Sequence, residues 1–206
     1  FRVFKYRVGV KTGLNPVQKL SAQLPTGCFF SQCAATEAKT VPVNSTLTAF
    51  GYLKYPVAGQ LPNWFYSPLT EHTFQNTGKA WYQIPDFDAN VGDIKGVWEA
   101  SRFDWLIDLA LHERKARDGQ ALVQLDLWLN DWCKKNPAYF GPNWKCGQEA
   151  SIRVMHIITA LIGLGQEQHA HDNVCAFIEA HLKRIEPTID YAIAQDNNHG
   201  TSEAAA

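Results

Sequence analysis

At 206 residues the chain is long enough for one sizeable hydrophobic core. Apolar residues make up 46% and charged residues 19%, the balance of a folded globular chain rather than a disordered one. The net charge of −1 comes with no basic stripe, so nucleic acid is not an expected partner, and the best apolar run, Ile157 to Leu164, is far short of the roughly 20 residues that span a bilayer.

The opening FRVFKYRVGV has neither a signal-peptide apolar region nor an initiator Met, which reads as a partial or processed chain. Residues 1–90 form the first region, rich in Pro, Gly, Thr and aromatics. Pro56, Pro62, Pro68 and Pro85 interrupt it repeatedly, so little long helix is expected, and either short strands and turns or an extended arm that wraps over something larger. Five cysteines, Cys28, Cys33, Cys133, Cys146 and Cys175, are scattered and odd in number, which is not a disulfide framework. Cys28 and Cys33 are close enough in sequence to pair or bind metal, but no second Cys or His pair stands at finger spacing, so no metal site is assigned. Cys133 and Cys175 fall in helical patterns and read as small core residues.

Residues 91–206 form the second region, where the apolar period changes to 3.6 from about Asp93. Phe103, Leu106, Ile107, Ala110 and Leu111 make one stripe, ended by Asp118-Gly119. Leu122, Leu125, Leu129 and Trp132 make the next, before Asn136-Pro137. Ala150, Val154, Ile157, Ile158 and Leu161 make a third, ending near Gly163 and Gly165. Val174, Phe177, Ile178, Leu182 and Ile185 make a fourth, after which Pro187 kinks that helix or starts a further segment through Ala194. Short connections predict antiparallel helical hairpins. In EQHAHD, His169 and His171 precede a helix for which Asp172 is the expected N-cap, and a metal there is the lesser reading.

The polar faces carry the functional signal. Trp98, Arg102 and Trp105 stand at i, i+4 and i+7, as do Glu149, Arg153 and His156 on the third stripe, with Tyr139, Phe140 and Trp144 between them. Aromatic rings cover the apolar faces of sugars and Arg binds carboxylates in bidentate fashion, so these residues suit a saccharide groove. The competing reading is ordinary core packing for the tryptophans and a salt bridge for Glu149 and Arg153. The closing QDNNHGTSEAAA sets Asn198 and His199 at a helix junction, with the next helix expected from Thr201 or Ser202.

Four segments taken together, VWEASRFDWLIDLA, NPAYFGPNWKCGQEASIR, IDYAIAQ and DNNHGTSEAAA, resemble the heparinase II/III-like polysaccharide lyases, which include heparinase III and the oligoalginate lyases. The resemblance runs from about Asp93 onward. It implies a mainly α fold, a partial α/α toroid preceded by the irregular arm, and no cofactor. It implies β-elimination on a uronate-containing acidic polysaccharide, of glycosaminoglycan or alginate type, with a periplasmic or secreted setting. In that family the Asn matching Asn198 binds the uronate carboxylate and the His matching His199 serves as base or neutralising partner. Asn198 and His199 are thus the expected catalytic residues, and Trp98, Arg102, Trp144, Glu149 and Arg153 the expected substrate contacts. The family's catalytic Tyr lies further along the chain, so the resemblance implies an amino-terminal portion, inactive alone and completed by a C-terminal part of the same polypeptide. Two alternatives stand beside it: a carbohydrate-binding toroid without chemistry, and a glycoside hydrolase using Asp126 and Glu149.

Overall fold

The computed structural model describes residues 2–31, 43, 45–57, 59–117 and 119–206. Helices dominate, as the periodicity predicts. A first helix, α1 (Arg2–Thr12), is followed by three small antiparallel hairpins, β1 (Thr46–Ala49) with β2 (Leu53–Pro56), β3 (Tyr66–Ser67) with β4 (His72–Thr73), and β5 (Phe87–Asp88) with β6 (Gly92–Asp93). The helical layer comprises α2 (Lys95–Trp98), α3 (Asp104–Ala116), α4 (Gln120–Lys135), α5 (Gly147–Leu164), α6 (Asp172–Ile185), α7 (Ile189–Ala194) and α8 (Asn198–Ala205). No helix among the described residues is long and apolar enough to cross a membrane.

Helix α5 is the hub. It packs against α3, α6 and α8, while α4 folds back on α3 and α1 lies on α7. The α3–α4 link turns through Arg117 and Gly119, both at positive φ. Most of the apolar stripe positions are buried as expected, among them Leu106, Leu125, Leu129, Val154, Ile157, Val174 and Phe177. Leu111, Ile158 and Leu182 are exposed instead, because they sit at the outer edges of their stripes.

The centre of the core is aromatic. Trp105 stacks edge-on to Trp128 at 5.1 Å, Phe103 to Trp132 at 5.2 Å, and Trp132 lies 5.9 Å from Trp144. Buried indoles need acceptors. Trp132 donates to the Ser101 hydroxyl, Trp144 to the Asn136 carbonyl, Trp64 to Asp131 and Trp128 to the Gln60 carbonyl.

The N-terminal region shares this core rather than making its own. Phe29, Phe30, Leu47, Trp64 and Trp81 are buried in it. Side chains of the helices strap the arm down: Asp126 accepts from the Phe29 N–H, Asn130 is bonded to both the N–H and C=O of Gly27, and Asn173 donates to the Thr26 and Cys28 carbonyls. The arm therefore wraps over the helical layer of its own chain. Cys28 is unpaired among the described residues, and Cys33 lies outside them, as does the pairing or metal expectation for the two.

Five local expectations are corrected. Residues 1–90 do hold an 11-residue helix, α1, which docks through Tyr6 stacked on Tyr191 at 4.0 Å. Trp98, Arg102 and Trp105 do not share a helix. After α2 the chain passes through a tight 3-10 turn, Glu99–Arg102, and then Phe103 at φ 71 before α3 begins. A bulky residue rarely adopts positive φ. Here the fully buried Phe103 ring, wedged against Trp105, Trp132 and Phe177, holds it there. The N-cap of α6 is His171, whose Nδ1 accepts from the Asn173 N–H at 3.1 Å, because Asp172 already lies inside the helix. The last helix starts at Asn198, not Thr201 or Ser202, with Asn197 as its cap accepting from the His199 N–H. Cys133 is buried as expected, but Cys175 is on the exposed side of α6.

Candidate functional site

A cleft of about 670 Å³ opens where α1, α7 and α8 meet the N-terminus of α5 and the segment from Trp81 to Arg102. Several elements must be pinned for it to exist. The 81–83 turn is tied to the loop before α5 by the Trp81 N–H to the Tyr139 carbonyl, 2.9 Å, and by the Gly141 N–H to the Lys79 carbonyl, 2.8 Å. Gly141 has φ +80, and a Cβ there would stand 3.0 Å from the Thr77 carbonyl, so glycine suits this crossing on both counts. Trp98 is fixed by its indole N–H to the Pro142 carbonyl at 2.9 Å.

Trp98, Arg102, Glu149, Asn198 and His199 all line this cleft, although about a hundred positions separate the first from the last. Asn198 is exposed and His199 half-buried, both on the first turn of α8. The cleft also takes Tyr6, Tyr82, Tyr191, Arg184, Cys146 and Glu203, none of which was expected as a contact. Glu203 had a readable signal, since it lies four residues after His199 and hence on the same helix face. Tyr6 had none, because its place depends on α1 docking against α7.

Trp144 and Arg153 are corrected as substrate contacts. Both are fully buried and neither lines the cleft. Arg153 does not pair with Glu149. It donates to His181 Nε2 at 2.9 Å and to the Asn143 carbonyl at 2.8 Å, and its guanidinium lies 5.1 Å and 5.4 Å from the Trp132 and Trp144 ring centres. Burial pulls its pKa down to about 9, against the opposing pull of Glu149, and pushes His181 well below its ordinary value. This is a core cation held by aromatic faces.

Arg102 reaches the cleft already occupied. It makes a bidentate pair with Glu149, at 2.8 and 2.9 Å, and a second pair with Glu99. The bonds to Glu149 raise its pKa above the ordinary value, against desolvation. Burial raises the Glu99 carboxyl, opposed by the Phe50 N–H and by Arg102. His156 Nδ1 donates to the Arg102 carbonyl at 2.7 Å and lies 3.2 Å from Asp104, tying the turn to α5. The other cations are similarly engaged. Lys145 bonds Asp86 and the Ile84 carbonyl, and Lys95 lies 3.6 Å from Asp93. Arg184 donates to the Trp144 and Lys145 carbonyls, with its guanidinium 3.7 Å from the centre of the Trp81 ring. A carboxylate entering the cleft would therefore meet the Asn198 amide and the His199 ring before any free guanidinium.

His199 Nδ1 stands 3.5 Å from Glu203 Oε1 and 3.9 Å from Cys146 Sγ. Burial raises both the Glu203 and Cys146 pKa values, for Glu203 against Arg184 and His199, and for Cys146 with a further push from Glu149. Tyr6 is pushed up to about 12, chiefly by burial. Asp126 holds the Phe29 N–H and does not line the cleft, so Asp126 and Glu149 do not flank one groove as a hydrolase pair would. Among the described residues no group of three or more His, Cys, Asp or Glu side chains is arranged to hold a metal ion. No family model matches the chain, and neither a curated protein nor a solved structure matches it.

Proposed function

We propose that this cleft binds an acidic saccharide and that the chain carries the substrate-binding half of a polysaccharide lyase acting by β-elimination on uronate units, with its helical hairpins as part of an α/α toroid. The observation that carries the reading is the meeting of Asn198 and His199 with aromatic rings, Trp98, Tyr82 and Tyr191, in one cleft of saccharide size. The proton on C5 of a uronate is too weakly acidic while the neighbouring carboxylate bears its full charge. In this reading the Asn198 amide donates to that carboxylate as charge builds on it, and His199 takes the C5 proton. The C4–O bond then breaks, C4 and C5 become doubly bonded, and the leaving oxygen takes a proton from an acid. The resemblance places that acid on a tyrosine further along the chain. Tyr191 lines the cleft, but it is stacked on Tyr6 and its hydroxyl accepts from Gln195.

A second reading, saccharide binding without chemistry, is favoured by one observation: the pairing of Arg102 with Glu149 and Glu99 leaves its charge already neutralised. One experiment separates the two. The protein expressed from its whole gene is incubated with a panel of uronate polymers, and the ultraviolet absorbance of the unsaturated product is followed. The lyase reading expects product from at least one polymer, with kcat reduced by about 10²–10⁴ in His199→Ala and KM much less changed. Binding without product from any polymer supports the second reading, and neither binding nor product overturns both.

A further inference from the structure

We infer that Glu203 is the positioning residue of this cleft: its buried carboxylate holds the His199 ring through Nδ1 and leaves Nε2 as the basic nitrogen available to substrate. The inference rests on the lyase reading. The two side chains are one helical turn apart on α8, with Nδ1 3.5 Å from Oε1, and the ring's other polar contact, Cys146 Sγ at 3.9 Å, is also on Nδ1. A carboxylate can only accept from a neutral imidazole through its N–H, so as this 3.5 Å approach closes to a hydrogen bond it favours the tautomer with the proton on Nδ1. A general base needs the opposite nitrogen unprotonated, and Nε2 is then that nitrogen.

The carboxylate is built into place. Its side chain is 4% exposed against 29% for His199. It lies against Gly147, the first residue of α5, where a Cβ would stand only 2.7–2.8 Å from its carboxyl atoms, so no other residue fits at 147 without displacing it. Cys146, the cap residue of that 18-residue helix, offers no side-chain cap, and the carboxylate sits at the positive end of the helix dipole. Arg184 and Thr188 face it from α6 and the turn that follows, Tyr6 faces it from α1, and Cys146 lies beside it in the cleft wall. Its Oε2 has no hydrogen-bond partner among the described residues. A buried, half-satisfied carboxylate is a costly way to fill space, and an apolar side chain would fill it better. A role in holding His199 accounts for its presence.

The test is the tautomer of His199, read from the nitrogen shifts of histidine-labelled protein. In the wild type the proton is expected on Nδ1, with Nε2 bare. In Glu203→Leu, which removes the acceptor and whose fold is checked by far-ultraviolet dichroism, the preference for Nδ1 is expected to disappear. Gly147→Ala should give the same signature by pushing the carboxylate away. In turnover on a uronate polymer by the protein expressed from its whole gene, Glu203→Leu is expected to lower kcat on the order of 10–100-fold with little change in KM, as loss of orientation rather than of binding. A wild-type ring protonated on Nε2 overturns the inference whatever the variants do, as does a folded Glu203→Leu with an unchanged tautomer. An Nδ1 proton that depends on Glu203, in a whole-gene protein that turns over no uronate polymer, upholds the positioning role while overturning the lyase reading.

Discussion

Replacing Arg102 by Met removes the guanidinium while keeping much of the apolar stem, and the structure sets the scale of the effect. Two carboxylates depend on this one cation. Glu149 is 2% exposed and Glu99 5%, whereas the Arg102 side chain keeps 28% of its surface in contact with solvent. Breaking a buried pair from one side typically costs about 3–5 kcal/mol, because a charge is left buried without its partner. The partial exposure of Arg102 argues for the lower end, about 3 kcal/mol at neutral pH. For a chain of this size that corresponds to a fall in Tm of roughly 6–12 °C.

The pH dependence gives the sharper check. Burial raises the Glu99 carboxyl above its ordinary value, and Arg102 is among the groups that hold it down. A carboxyl raised in the folded state binds more protons there than in the unfolded state. The stability linked to it is therefore present at acid pH and lost as pH rises through the folded value. Without Arg102 the Glu99 value rises further, so the penalty of Arg102→Met should be largest at neutral pH and shrink as pH is lowered toward the ordinary carboxylate range. Urea denaturation of wild type and variant at neutral and acid pH measures this directly. A variant as stable as the wild type at both pH values, yet weakened in saccharide binding, would refute the assignment of Arg102 to its two carboxylates and return it to the substrate.

Other outcomes follow from the same geometry. Trp144→Ala should destabilise the fold by about 3–5 kcal/mol in denaturant titration, since a fully buried indole in the aromatic core is removed. Gly141→Ala should cost roughly 1–3 kcal/mol by the same measurement, because positive φ and the Thr77 carbonyl at 3.0 Å both oppose a side chain there. Asn198→Ala should leave Tm nearly unchanged, because Asn198 is exposed and the cap of α8 is Asn197, while reducing turnover on the lyase reading.

The helical stripes were legible because a 3.6 period survives wherever a helix has one buried face, and α4, α5 and α6 follow it closely. The break at Phe103 was not legible. The stripe from Phe103 to Leu111 reads as continuous with Trp98, and only the packing of the Phe103 ring against Trp132 and Phe177 forces the left-handed turn. Half of the site was readable for a similar reason. Spacing places Glu149 and Arg153 on neighbouring turns of one face but does not say how deep each lies. Glu149, at the start of α5, reaches the cleft, while Arg153, one turn further in, ends among tryptophans. Trp144 has the composition of a sugar platform and the burial of a core residue, a distinction made only by what packs on it. The Asn198–His199 junction reads from its own residues as a turn and cap cluster, and only the family resemblance makes it a candidate site. Glu203 becomes legible only once His199 is assigned, because their i, i+4 spacing then puts both on one helix face.

The central claim is that the cleft at Asn198 and His199 receives a uronate carboxylate. Titrating isotope-labelled protein with uronate oligosaccharides, and in parallel with neutral oligosaccharides of the same length, measures this most directly by nuclear magnetic resonance. The account predicts saturable shifts of the Trp98 indole, the Asn198 side-chain amide and the His199 ring, with a Kd in the micromolar to millimolar range for uronates and little response to neutral sugars. Equal response to both sugars, or shifts that avoid Asn198 and His199 altogether, would contradict it.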